Sequence, residues 1–214
     1  MPFHVKTPMP LATPLSPVTL SGHLVRLEPL AHAHLPGLQE AAADGRMWER
    51  WYTSVARPED MAADIERRLA MQERGEMLAF TAVRREDDAV LGGTTFYDID
   101  ADVPRVSIGY TWNRESAHGT GTNPESKLLL MTHAFETFGV QCVRYETSWM
   151  NAQSRAAIER LGARRDGVLR ADRRERTGSL RDTVVYSVLA SEWPSVKDGL
   201  LHRLRNRVPA APPE

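Results

Sequence analysis

Two stretches of this chain carry residue types whose spacing could do chemistry. Residues 106 to 127, VSIGYTWNRESAHGTGTNPESK, run from an apolar strand pattern through a glycine loop into the start of a helix. Gly119 and Gly121 let the backbone approach a ligand closely, and a helix beginning near Asn123 offers free N–H groups and partial positive charge. Such a junction suits a diphosphate-bearing cofactor; the plainer use of the same residues is a tight strand-to-helix turn. Lys127 falls one turn into that helix, where its ammonium either reaches a phosphate or stands in solvent. The second stretch, Asn151-x-x-Ser154 ahead of a helical pattern, reads by residue type alone as an N-cap. A nucleotide P-loop would require Gly-Lys-Ser/Thr after the glycines, and a dinucleotide site three glycines spaced G-x-G-x-x-G, whereas position 124 is proline. His133 has no partner at metal-ligand spacing and is read as structural, and His23, His32 and His34 form no His-x-x-x-His site, so no metal is implied.

The elements that must position these residues follow from periodicity and breakers. Prolines at 2, 8, 10, 14 and 17 mark residues 1–19 as an extension, and 207–214 form a Pro-rich tail. Between them, 20–206 read as one domain. Alternation predicts a strand over 23–29, then a short helix over 31–43 that Asp44-Gly45 breaks. Pro58, Glu59 and Asp60 start a second helix that reaches Arg74 and ends at Gly75. Strands over 77–84, 89–98 and 103–112 form a meander. After the glycine loop come a helix closed by Gly139, a strand over 140–148, a helix from Asn151 to Leu161, strands over 164–171 and 181–190, and an amphipathic helix over 191–206. The order argues for an α/β fold: a mixed sheet with helices on its faces.

Composition narrows the function. With 27 basic and 28 acidic side chains the chain lacks the cationic surplus of a nucleic-acid binder. Its single cysteine, Cys142, permits no internal disulfide and no cysteine cluster for zinc. No apolar run is long enough to span a membrane and the start lacks a secretory pattern, so a soluble, cytoplasmic protein is expected.

Four stretches, LSGHLVRLEPL, VSIGYTW with HGTGTNPESKLLLMTHAFETFG, NAQSRAAIERLGA and GSLRDTVVYSVLASEW, together resemble the GNAT superfamily of acyl-CoA-dependent N-acyltransferases, closest to its ribosomal-protein N-terminal acetyltransferase branch. Of the superfamily's cofactor signature, Gln or Arg, two residues, Gly, one residue, Gly or Ala, only Gly121 is strict here, with His118 and Asn123 in the outer places. The resemblance implies a mostly antiparallel sheet splayed between the fourth and fifth strands, the acetyl-CoA pantetheine arm in the gap, and the pyrophosphate on the backbone of His118, Gly119, Thr120, Gly121, Thr122 and Asn123. It implies that a backbone N–H at Tyr110, or at Gly109 or Thr111, holds the oxyanion, that Ser154 protonates the leaving thiolate, and that Asn151 holds the pantetheine amides. Gly109 would suit a bulge there, or close packing. Tyr186 is the alternative acid.

Many relatives carry a glutamate two residues before the glycine of the fourth strand, where this chain has Ser107. Glu146, His118, Asp98 or a water relay are the substitutes, and the base stays unassigned. Trp48, Trp51 and Tyr52 occupy the stretch where the family builds an acceptor wall, though aromatics there also plug a core. Arg173, Arg174 and Arg176 make the late turn basic, either a rim for a carboxylate-bearing amine or a solvated hairpin diluted by Asp172 and Glu175. The expected activity is acetyl transfer from acetyl-CoA to a primary amine, a protein N-terminus or a small molecule. The alternative is a sensor or partner subunit that binds acyl-CoA without turnover. A homodimer is compatible with either.

Overall fold

The computed structural model describes residues 16–206. The expected tail and most of the N-terminal extension lie outside the described residues.

The elements appear in the predicted order, with one addition. A two-residue strand, β1 (Leu20–Ser21), turns back on β2 (Val25–Pro29). A 3-10 turn leads into α1 (Leu35–Ala43), and Pro58–Asp60 form a second such turn ahead of α2 (Met61–Glu73). Proline suits that place because it forfeits no helical N–H there. Strands β3 (Met77–Arg84), β4 (Val90–Asp100) and β5 (Arg105–Asn113) form the meander. Then come α3 (Thr122–Thr132), β6 (Cys142–Ser148), α4 (Ala152–Arg160), β7 (Arg164–Arg174), β8 (Leu180–Leu189) and α5 (Trp193–Arg205).

One eight-stranded sheet results, in the order β1-β2-β3-β4-β5-β6-β8-β7. Every neighbouring pair is antiparallel except β5 and β6, which the α3 crossover forces to run parallel. They pair only over Arg105↔Cys142, Val106↔Val143 and Ser107↔Arg144. Beyond Ser107 and Arg144 the two strands part. This is the splay expected between the fourth and fifth strands, renumbered because β1 precedes them.

Both faces are covered. On one, Leu27, Phe80 and Phe96 meet Leu130, Met131, Phe138 and Leu200 from the α3 and α5 side. Phe96 makes edge-to-face contacts with Phe80 and Phe138, each at 5.9 Å between ring centres. Each such fully buried ring contributes roughly 1.5–3 kcal/mol. On the other face Leu38, Ile65 and Met77 join α1 and α2 to the sheet.

Helix α3 is held at its start by Glu125, whose buried carboxylate accepts the backbone N–H groups of His23, Leu24 and Val25 at 2.8, 2.7 and 2.7 Å. Gly22 makes room for it: a Cβ there would lie 2.5 Å from the carboxyl carbon. The helix predicted through Phe138 changes character in its last turn, which is π-helical over His133–Phe138 and closes on Gly139 at φ +73°. The His133 ring stacks edge-on against Phe138 at 4.2 Å, and burial lowers its pKa.

Candidate active site

Where β5 and β6 part, a cleft of about 290 Å³ opens. Its walls are β5 from Ile108 to Asn113, β6 from Tyr145 to Ser148, the first turn of α4, parts of the 47–55 segment, and two arginines of the β7–β8 hairpin.

The β5 wall is irregular. Gly93 pairs with Trp112 and Thr95 with Gly109, so Thr94 alone faces two residues, Tyr110 and Thr111. That is a β-bulge. Tyr110 takes φ +49°, a left-handed conformation that costs a non-glycine residue about 1–3 kcal/mol and persists only where neighbours fix it. Gly109 beside it admits the Tyr97 ring, since a Cβ would sit 2.6 Å from that ring's Cε1. Tyr97 and Tyr110 then meet edge-on at 5.1 Å. Burial, followed by the nearby Glu146 charge, pushes the Tyr97 phenol well above its usual range.

Two basic side chains fix the bulge. From α2, buried Arg68 donates Nη1 to Thr95 Oγ1 at 3.1 Å and Nε to Asp64 at 2.7 Å, with its guanidinium 5.2 Å over the Tyr110 ring. From α3, Lys127 donates Nζ to Thr111 Oγ1 at 2.5 Å and to Thr94 Oγ1 at 3.1 Å. Lys127 is buried, so it is not the solvated lysine that its sequence position allows. Desolvation lowers its pKa to about 7. Its committed hydrogen bonds lie at the bulge.

The Asn151-x-x-Ser154 pair caps α4, with Asn151 Oδ1 accepting from the Ser154 backbone N–H at 3.0 Å. Both residues also line the cleft, and the Ser154 hydroxyl makes no hydrogen bond among the described residues. The capping reading and the cleft-facing placement therefore hold together. Tyr186 does not reach the cleft: it is buried, its hydroxyl donates to Glu159 at 2.9 Å, and burial followed by that bond raises its pKa to about 12.

The glycine loop is built as its composition requires. Gly119 and Gly121 stand at φ +81° and +93°, and α3 starts at Thr122. A Cβ on Gly119 would meet nothing within 4 Å, whereas one on Gly121 would press on Leu24 at 3.1 Å. The Thr120 hydroxyl donates to the Ala117 carbonyl at 2.7 Å and lies 3.1 Å from that of Thr122. His118, which reaches the Asn113 carbonyl at 3.2 Å, and Asn123 line the near end of the cleft.

The cleft also holds buried polar atoms without hydrogen-bond partners among the described residues: Asn123 Oδ1, the Tyr145 hydroxyl and Arg181 Nε. Leaving such atoms unpaired costs about 1–3 kcal/mol each, so they mark where a polar ligand fits. A slot between parted strands, lined by Asn123 and Tyr145 and ending at a helix N-terminus, suits an extended molecule with amides along its length and phosphates at one end.

Of the substitutes for the missing glutamate, Glu146 and His118 line the cleft and Asp98 does not. Ser107 is buried, 3.4 Å from Asp98. Glu146 accepts from Arg173 at 2.6 Å. Among the aromatics of the 47–52 stretch only Tyr52 faces the cleft; Trp48 packs against the α1–α2 core and Trp51 stands outward against Tyr52. Trp149 and Met150 are exposed, Trp149 beneath the Arg155 guanidinium at 4.7 Å. Arg68, Tyr145 and Arg181 carry no sequence motif; only the fold brings them to the cleft. Among the described residues no helix is long and apolar enough to cross a membrane, and no three His, Cys, Asp or Glu side chains cluster as a metal site would.

Comparison with known proteins gives consistent matches. A family model described as Acetyltransferase (GNAT) domain matches residues 25–164. A crystal structure of a GCN5-related N-acetyltransferase from Brucella melitensis superposes with a TM-score of 0.82 at 27% identity, covering 91% of this chain and 88% of that one. A Bacillus licheniformis relative, "Uncharacterized N-acetyltransferase p20", is 26% identical over 142 residues, 66% of this chain and 77% of its own. Mycobacterium smegmatis RimJ, solved in complex with CoA-disulfide, shares the fold with a TM-score of 0.73 at 20% identity, over 91% and 97% of the two chains.

Proposed function

The chain belongs to the GNAT acetyltransferase family, and from that premise we propose that it moves an acetyl group from acetyl-CoA to the nitrogen of an amine, with both substrates bound at once in the β5–β6 cleft. The observation that carries this reading is the parting of β5 and β6 past Ser107 and Arg144, with a bulge at Tyr110 on the open edge. When bound, acetyl-CoA supplies a thioester carbon open to attack. The acceptor is a protein N-terminus or a small-molecule amine, and one unit spanning 20–206 carries the whole activity, in the cytoplasm.

Each residue then has a task. The loop from His118 to Asn123 lies along the pyrophosphate; the His118 and Thr120 N–H groups are taken by the Glu115 and Ala117 carbonyls, so Gly121, Thr122 and Asn123 supply the donors at the start of α3, where the helix dipole favours negative charge. Asn151 and Tyr145 hold the amides of the pantetheine arm. The bulge turns a backbone N–H at Tyr110 toward the oxygen that gains charge, and Arg68 and Lys127 keep that donor from relaxing. One such preorganised donor accounts for about 2.7–4 kcal/mol of barrier lowering. Ser154 gives its hydroxyl proton to the sulfur as the C–S bond breaks and the C–N bond forms; the proton that the amine loses leaves through Glu146 or water, and Ser154 regains one from solvent.

Release of free thiol from acetyl-CoA, followed across small amines and N-terminal peptides, tests the reading. Acceptor-dependent release is expected, and Ser154→Ala should lower turnover by about a hundredfold or more with cofactor affinity nearly unchanged. Tight cofactor binding with no acceptor-dependent release would leave the acyl-CoA-binding alternative in its place.

A further inference from the structure

The acceptor end of the cleft is cationic beyond the needs of its own fold. Arg50, Arg68, Arg173 and Arg181 line the cleft beside the desolvated Lys127 amine, and Glu146 is the one carboxylate among the lining residues. Arg68 is satisfied by Asp64 and Thr95, and Lys127 by two threonines. Arg181 is different. Its Nε is buried with no hydrogen-bond partner among the described residues, and no ion pair engages it there.

The hairpin makes that isolation informative. Arg173 and Arg181 are register partners across β7 and β8, so both side chains leave the same face. Arg173 reaches Glu146 at 2.6 Å and Asp172 at 3.3 Å, so its guanidinium is neutralised and that of Arg181 is not, among the described residues. Like charges directly opposite on a sheet destabilise it, and a hairpin keeps such a pair at a cost unless an anion sits between them. A planar guanidinium with open donors is the side chain best suited to a carboxylate, because it can bind both oxygens at once.

Two exposed side-chain bonds link the walls at the same end. Arg176, at the hairpin tip, donates to the Trp48 carbonyl at 3.2 Å, tying the hairpin to the 47–55 segment. Arg50 of that segment donates to Gln153 of α4 at 3.1 Å, bridging the cleft. We infer that the acceptor is a small amine that carries a carboxylate, and that Arg181, beside the Arg173–Glu146 pair, is the residue that selects it. This rests on the acetyltransferase reading and names its substrate class.

The experiment pairs amino-carboxylates with their own primary amides, molecules alike in size and amine but without the negative charge. Acceptors are compared by kcat/KM for thiol release, and the binding of each N-acetylated product in the presence of CoA is measured by calorimetry. Carboxylates should exceed their amides by about tenfold or more, as expected when a charged hydrogen-bond partner is gained. Arg181→Gln should raise KM for the carboxylates, weaken their products by a similar factor, and leave the amides and acetyl-CoA affinity unchanged. Amides that equal or exceed their carboxylates, activity confined to peptides, or an Arg181→Gln effect on acetyl-CoA binding would each overturn the inference while leaving the acetyltransferase reading intact. Absence of release with every amine would instead defeat that reading.

Discussion

Lys127 and Arg68 grip one bulge from opposite faces of the sheet. Lys127 reaches Thr94 from α3 and Arg68 reaches the adjacent Thr95 from α2, each at 3.1 Å. Neighbouring residues of a strand point to opposite faces, so two consecutive threonines give two helices a handle on the strand that faces Tyr110. The strained φ of Tyr110 is thereby held by side chains 42 and 17 positions away in sequence.

Burial of Lys127 makes stability depend on pH. Its pKa falls from the ordinary 10.5 to about 7 in the fold. Between those values the unfolded chain binds more protons than the folded one, so stability rises with pH across that window and is lost as pH falls toward 7. Lys127→Met should flatten this rise in urea unfolding measured from pH 6.5 to 10. Parallel curves for the two proteins would show that the amine titrates as a solvated one.

Glu125 ties α3 to the entry of β2 through three backbone N–H groups. Glu125→Gln keeps the shape but removes the charge and sets an NH2 against one of those donors. A loss of about 1.5–3 kcal/mol in unfolding free energy is expected, the worth of hydrogen bonds to a charged group. An unchanged midpoint would mean that the first strand is held by its sheet partner alone.

The glycine loop separates conformation from space. At Gly119 an added methyl has room and only the positive φ opposes it, a cost of roughly 1–2 kcal/mol, whereas at Gly121 the methyl also presses on Leu24. Gly121→Ala should therefore lower thermal stability and CoA affinity more than Gly119→Ala, read by calorimetry with CoA. The reverse order would place the tighter constraint at Gly119.

The sequence made the scaffold legible because its punctuation is local. Pro58 starting a helix, Gly75 and Gly139 ending others, and the alternation in β2 act within a few residues, so the element order followed, while the splay between the fourth and fifth strands came from the resemblance to the GNAT superfamily. What stayed hidden depends on partners distant in the chain. Glu125 looks like an ordinary first-turn acid, and only the fold brings His23 to Val25 onto it. Lys127 reads from its position as solvated, or else phosphate-facing, until Thr94 and Thr111 arrive beneath it. Arg181 differs from its cross-strand partner Arg173 in having no ion pair among the described residues, which the sequence does not show. The π turn at His133–Phe138 leaves no mark either, since its apolar spacing matches that of a regular helix.

The central claim is that the gap between β5 and β6 receives the thioester and that the bulge at Tyr110 holds its oxygen. A crystal structure with a non-hydrolysable acetyl-CoA analogue that keeps the carbonyl tests it most directly. The account predicts the pantetheine arm between the parted strands and the carbonyl oxygen within about 3.2 Å of the Tyr110 backbone N–H. An analogue seated outside that gap, or a carbonyl turned away from the bulge toward another donor, would contradict it.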